Sequence, residues 1–225
     1  MPTDARGSGG RDWDAEFAAV ADAVADAPLP SVDRIEAERS DPWDVLVSTV
    51  ISLRTKDAVT LAASKRLIEE APTPEALLAL PEERIAALIY PAGFYRTKAG
   101  NLLRIAGLLT EKHDGAVPAD REALTALPGV GLKTANLVLS VGFGIPAICV
   151  DIHVHRIANR RGWIRTSKPD DSEKALRGIL PERWWIPVNR LLVSFGQRVC
   201  TPTSPRCSIC PFGESCPRYG TTRTR

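Results

Sequence analysis

Nowhere in these 225 residues do about 18 apolar side chains follow one another, the run a membrane-crossing helix requires. The opening Met1-Pro2-Thr3-Asp4-Ala5-Arg6 also lacks the basic-then-apolar order of a secretory signal. No membrane partner is therefore expected, and the expected address is intracellular, in the cytoplasm or nucleoid. Alternating β-branched runs and Asn-Gly turns are missing too, which removes the usual marks of sheets and hairpins. Disorder is excluded from the other side, because 44% hydrophobic against 25% charged residues is an ordinary globular balance. The chain is long enough to bury one good core or two small interleaved ones without disulfides or a second subunit, and a monomer is expected.

What is present is unevenly distributed. Residues 1–50 hold 4 basic and 11 acidic side chains, whereas the last 75 residues hold 14 basic and 6 acidic. A surface that neutralises phosphates suits the basic end, and so does a set of arginines covering solvated helix faces. Residues 1–10, with three glycines and a serine, read as a flexible leader. From Trp13 onward apolar residues recur at helical intervals. The spacing predicts a helix from Trp13 that stops at Pro28 and Pro30, one over about Pro42 to Ile51 capped by Asp41, and one over about Asp57 to Glu70. Pro74 and Pro81 mark two further starts. The fold class expected is all-α, with many short helices punctuated by 18 prolines and 16 glycines.

Two segments repeat the pattern of helix, short Gly-containing turn and helix. The sharper copy is Asp120 to Ala126, then Leu127-Pro128-Gly129-Val130-Gly131, then Leu132-Lys133-Thr134-Ala135-Asn136-Leu137. Gly129 and Gly131 allow positive φ and close backbone approach, so the N–H groups of Gly129, Val130 and Gly131 are candidate phosphate contacts. A plain turn between two helices has the same outline. Lys133 sits in the first turn of the second helix, where a cation opposes the macrodipole. Positive potential and partial burial favour its neutral amine, which is a nucleophile for a sugar carbon; a phosphate clamp is the other reading.

An apolar run, Ile148-Cys149-Val150, leads to Asp151, which opens a helix closed near Gly162. Asp151 is a favoured N-cap, and a capping carboxylate can also stabilise positive charge developing on a sugar. His153 and His155, two apart on that helix, point in different directions and make a poor joint metal site. Cys149 reads as core. The other four cysteines, Cys200, Cys207, Cys210 and Cys216, fall within seventeen residues. Thiolates so close together call for a cation, and four of them suit either tetrahedral zinc or an iron–sulfur cluster. Arg206 and its neighbouring arginines are placed to bring this loop against a DNA backbone.

The hairpin from Leu127 to Asn136, the segment Val150-Asp151-Ile152-His153, eighteen residues past Lys133, and the Cys200 to Cys216 spacing together resemble the endonuclease III family of helix-hairpin-helix base-excision glycosylases. The resemblance covers roughly residues 30 to 218. It implies a six-helix domain over about residues 35–145, and a second helical domain from residues 11–34 plus 146–225 that holds a 4Fe–4S cluster on the four cysteines, with double-stranded DNA across the cleft between them. It further implies that Lys133 forms a Schiff base at C1′ of a damaged nucleotide, that β-elimination then nicks the strand, and that Asp151 assists. Oxidised pyrimidines are the substrates it suggests, and abasic sites the intermediates. Two loops match those that fill the gap left by an extruded base, with Arg54 in one and Phe94 as an apolar wedge in the other. Here the chain departs from the common bacterial pattern, which has Gln at Arg54 and Thr at Ile152. The alternatives weighed against this reading are a monofunctional mismatch glycosylase and a non-catalytic hairpin module with a zinc loop.

Overall fold

The computed structural model describes residues 10–225, so the expected leader lies outside the described residues but for Gly10. Every regular element among the described residues is helical, as the sequence pattern requires, and no helix is long and apolar enough to cross a membrane. The chain divides into two compact units, residues 30–145 and residues up to 29 together with 146–225.

The 30–145 unit is built around α3, Pro42–Ser52. Val45, Leu46, Val47, Val50 and Ile51 are all buried, as are Asp44, Ser48 and Thr49, so this helix is covered around its circumference and belongs at the centre. Its start follows from local chemistry: Asp41 Oδ1 accepts from Trp43 N at 2.8 Å, and Pro42 fills the first turn. Around it lie α2 (Ser31–Arg39), α4 (Asp57–Glu70), α5 (Pro74–Leu78), α6 (Glu82–Ile89), α7 (Tyr95–His113), α8 (Arg121–Thr125) and α9 (Leu132–Leu137), the last continuing into a π-helical turn at Val138–Gly142. The caps at Thr73 and Asp120 begin the two short helices α5 and α8 in the same way, each accepting from the backbone N–H three residues on. Helix α2 carried no sequence signal. Pro30 provides no side-chain cap, and the Ser31 N–H is met instead by Asp57 Oδ1 of α4 at 3.0 Å, a contact that exists only after folding.

The other unit joins α1 (Trp13–Ala23) to α10 (Ile152–Arg160), α11 (Pro169–Ile179) and α12 (Pro187–Arg198). Helix α1 ends at Ala23, short of the prolines expected to stop it. It is held by aromatic packing: Phe17 stacks on Trp184 with ring centroids 4.6 Å apart, and Trp163 meets Trp13 edge-on at 5.3 Å. Glu16 of α1 pairs with the buried Arg161. Cys149 is buried, as the apolar run around it indicated.

Candidate functional site

The hairpin turn begins where α8 ends. Gly129 has φ 78°, a backbone that requires glycine, and a Cβ there would also displace the Asn101 amide on α7, 2.6 Å away at the end of a flexible side chain. Gly131 is different: its φ of −93° is open to any residue, and nothing lies within 4 Å of where its Cβ would be. What glycine provides there is an uncovered backbone. Val130 is turned inward, with a buried side chain and an N–H that closes the turn on Leu127 O at 3.1 Å. Of the three expected hairpin contacts, Gly129 and Gly131 lie at the surface. Gly129→Ala is expected to lower stability by about 1–2 kcal/mol from the left-handed backbone alone, read as a shift in urea midpoint at unchanged slope.

Lys133 follows in the first turn of α9, half-buried, and the next four residues, Thr134 to Leu137, are buried and anchor the turn. Asp151, in the other unit, is the N-cap of α10. Its Oδ1 accepts from His153 N at 2.9 Å and Val154 N at 2.8 Å. Ile152 beside it is 68% exposed, unusual for an isoleucine. The two histidines are in structural use: His155 Nδ1 lies 2.6 Å from Ser172 Oγ, and His153 Nδ1 lies 3.1 Å from Arg156 Nη2.

Phe94 is not a core aromatic. It is 62% exposed in left-handed backbone at φ 57°, just ahead of α7. Arg54 is also exposed and left-handed, at φ 53°, in the loop between α3 and α4, and its guanidinium lies over the Phe94 ring at 5.4 Å from the centroid. The sequence named both residues but gave no sign that they touch.

Cys200, Cys207, Cys210 and Cys216 line one pocket whose other walls include Ile157, Phe195 and Val199. None is in a disulfide. No three His, Cys, Asp or Glu among the described residues gather tightly enough to hold one ion. Burial pushes the Cys207 and Cys210 thiols up. Arginines of α10 fasten the loop: Arg160 donates to Cys200 Sγ at 3.6 Å and to Thr201 O at 2.7 Å, and Arg156 donates to Cys200 O at 2.8 Å. Arg161 donates to Ser215 O at 3.3 Å and stacks on Phe212 with 4.0 Å between guanidinium and ring. The basic charge of the last 75 residues suits a phosphate-facing surface, yet Arg160 and Arg161 are buried and add nothing to it. Their positions four and five residues beyond Arg156, at the end of α10 and just past it, were the available signal. Arg206 is exposed, with its backbone N–H tied to Val199 O at 2.9 Å.

A model of the HhH-GPD superfamily of base excision DNA repair proteins matches residues 47–182. The chain is 47% identical over 182 residues to endonuclease III of Thermotoga maritima, across 81% of this chain and 85% of that one. Among solved structures it resembles a non-covalent endonuclease III–DNA complex, with TM-score 0.81, 36% identity and coverage of 90% of this chain and 92% of that one. It also resembles a trapped endonuclease III–DNA covalent intermediate in an estranged-adenine complex, with TM-score 0.78, 36% identity and coverage of 89% and 92%.

Proposed function

The chain belongs to the endonuclease III family of base excision DNA repair proteins, and from that premise we propose that it is a bifunctional DNA glycosylase and AP lyase in which Lys133 is the nucleophile. The observation that carries this reading is the placement of Lys133: half-buried at the head of α9, directly after a hairpin whose Gly129 and Gly131 bring uncovered backbone to the surface. The Gly129 and Gly131 N–H groups take a DNA phosphate, which sets register without reading sequence. The Lys133 amine attacks C1′ of an extruded nucleotide, and the bond from C1′ to the base breaks as the new C–N bond forms, the base leaving with that electron pair and taking a proton from water. The nitrogen gives up a proton, the C1′–O4′ bond opens as its lone pair forms C=N, and O4′ takes a proton to become a hydroxyl, leaving a Schiff base. Abstraction of a proton from C2′ then expels the 3′ phosphate, and water releases the enzyme. Asp151, with Oδ1 committed to α10, offers Oδ2 to accept the amine proton and to stabilise positive charge on the sugar.

Oxidised pyrimidines in double-stranded DNA are the proposed substrates, with Arg54 and Phe94 filling the space the base leaves. Arg206 lies beside the cysteine loop as a backbone contact. Four thiols lining one pocket suit either a zinc ion or an iron–sulfur cluster, and the likeness to endonuclease III favours a 4Fe–4S cluster. Cys200, Cys207, Cys210 and Cys216 would hold it, and when bound it supplies four metal–thiolate bonds that brace a loop poor in regular structure.

The test is a panel of duplexes carrying single lesions, incubated with the protein and borohydride. Lesion-dependent cleavage together with a trapped protein–DNA adduct is expected, from a brown preparation absorbing broadly in the visible. Base release with no adduct makes the enzyme monofunctional. DNA binding with neither, from a colourless preparation, leaves a non-catalytic module.

A further inference from the structure

The loops bearing Arg54 and Phe94 hang on one buried ammonium. Lys98, in the first turns of α7, is 5% exposed, and its Nζ donates to Ile51 O at 2.6 Å, Leu53 O at 2.6 Å and Thr55 Oγ1 at 2.9 Å. An ammonium has three protons and no lone pair, so its donors are fully used. Two of its acceptors are carbonyls at the C-terminal end of α3, where the last C=O groups lack intrahelical partners and a cation is favoured. The Thr55 hydroxyl is saturated as well. It accepts from Lys98 and from Gly93 N at 3.1 Å, and donates to Leu53 O at 3.3 Å. Gly93 closes the connection, because a Cβ there would collide with the Arg54 carbonyl oxygen.

We propose that Lys98 is a positioning residue that joins the 53–56 loop and the 91–94 turn into one DNA-reading tool, so that Arg54 and Phe94 enter the duplex as a stacked pair. This rests on the reading of both residues as DNA contacts given above. Each side chain alone sits on a left-handed residue in an exposed loop, and holding two such loops in fixed relation has an entropic cost. The clasp meets that cost during folding rather than at each encounter with DNA, which is the advantage of preorganisation. Burial pushes the Lys98 ammonium down to about 8, so at neutral pH its charge and all three donors are retained.

The test uses a duplex with 2-aminopurine opposite a tetrahydrofuran abasic-site analogue, and reads its fluorescence change together with the affinity ratio for that duplex over an undamaged one. Lys98→Met is expected to lower the ratio about 10-fold, to abolish the fluorescence change, and to leave binding to the undamaged duplex as it was. Thr55→Val cuts the same link from the other side, with a smaller loss expected, and carries the test if Lys98→Met does not fold. Added to the Arg54→Ala/Phe94→Ala double variant, Lys98→Met is expected to cost nothing more. A ratio kept by the link variants, equal losses on both duplexes, or an additive loss on top of the double variant overturns the proposal and leaves Lys98 as a cap for α3. Should the double variant itself keep the wild-type ratio, the DNA-contact reading of Arg54 and Phe94 fails first, and this proposal with it.

Discussion

Replacing Lys133 with glutamine is expected to end strand nicking and borohydride trapping while DNA binding survives. The loss in single-turnover cleavage should be at least about 10³-fold, since no neighbouring group replaces a missing nucleophile. Glutamine has nearly the helix propensity of lysine and stays within the length of the half-buried side chain, so α9 and the buried residues behind it remain in place. Stability should therefore change by no more than about 0.5 kcal/mol. That pairing of results matters. A clamp lysine removed from a phosphate site weakens binding in proportion to the loss of cleavage and reduces the dependence of affinity on salt. A nucleophile removed from its site leaves both nearly intact. Gel-shift titrations at two salt concentrations, run beside the cleavage assay, tell the two roles of Lys133 apart.

Asp151 caps α10, and substitutions can separate that observed role from its proposed part in the chemistry. Asparagine is as good an N-cap as aspartate, so Asp151→Asn keeps an oxygen for the His153 and Val154 N–H groups and keeps α10 started. What it removes is the charge and the ability to take a proton, for which a fall in glycosylase rate of about 10²–10⁴-fold is expected. Asp151→Ala removes the cap as well and should lower stability by about a further 1 kcal/mol. If the carboxylate only caps the helix, Asp151→Asn retains wild-type turnover, and the order of the two variants in thermal melts is the sole difference between them.

Much of this was legible in the sequence because it is locally determined. Asp41, Thr73, Asp120 and Asp151 each cap a helix within three residues of themselves, so reading left to right was enough to find where those helices start. Gly129 was legible for the same reason. What stayed hidden depends on residues far apart in the chain. Helix α2 is started by a side chain 26 positions away. The Lys98 clasp spans more than 40 positions, and the pairing of Arg160 with the cysteine loop about as many. Val130 shows the opposite error. A Gly-x-Gly turn suggests three outward N–H groups, but the central one is consumed by the turn itself. Charge counts misled in a related way, since burial diverts Arg160 and Arg161 from the surface and no composition records that.

The left-handed backbone at Arg54 and Phe94 also sets the alphabet available to anyone redesigning these two loop tips. At φ 53° and 57° valine, isoleucine and threonine crowd their own backbone, whereas asparagine, aspartate and glycine are tolerated. A randomised library at the two tips should thus return small polar residues and unbranched side chains, and lose the β-branched ones before any selection for activity. Gly93, Thr55 and Lys98 belong outside such a library. They are the frame that holds the two tips in place, so a library built on an intact frame reports on the tips alone.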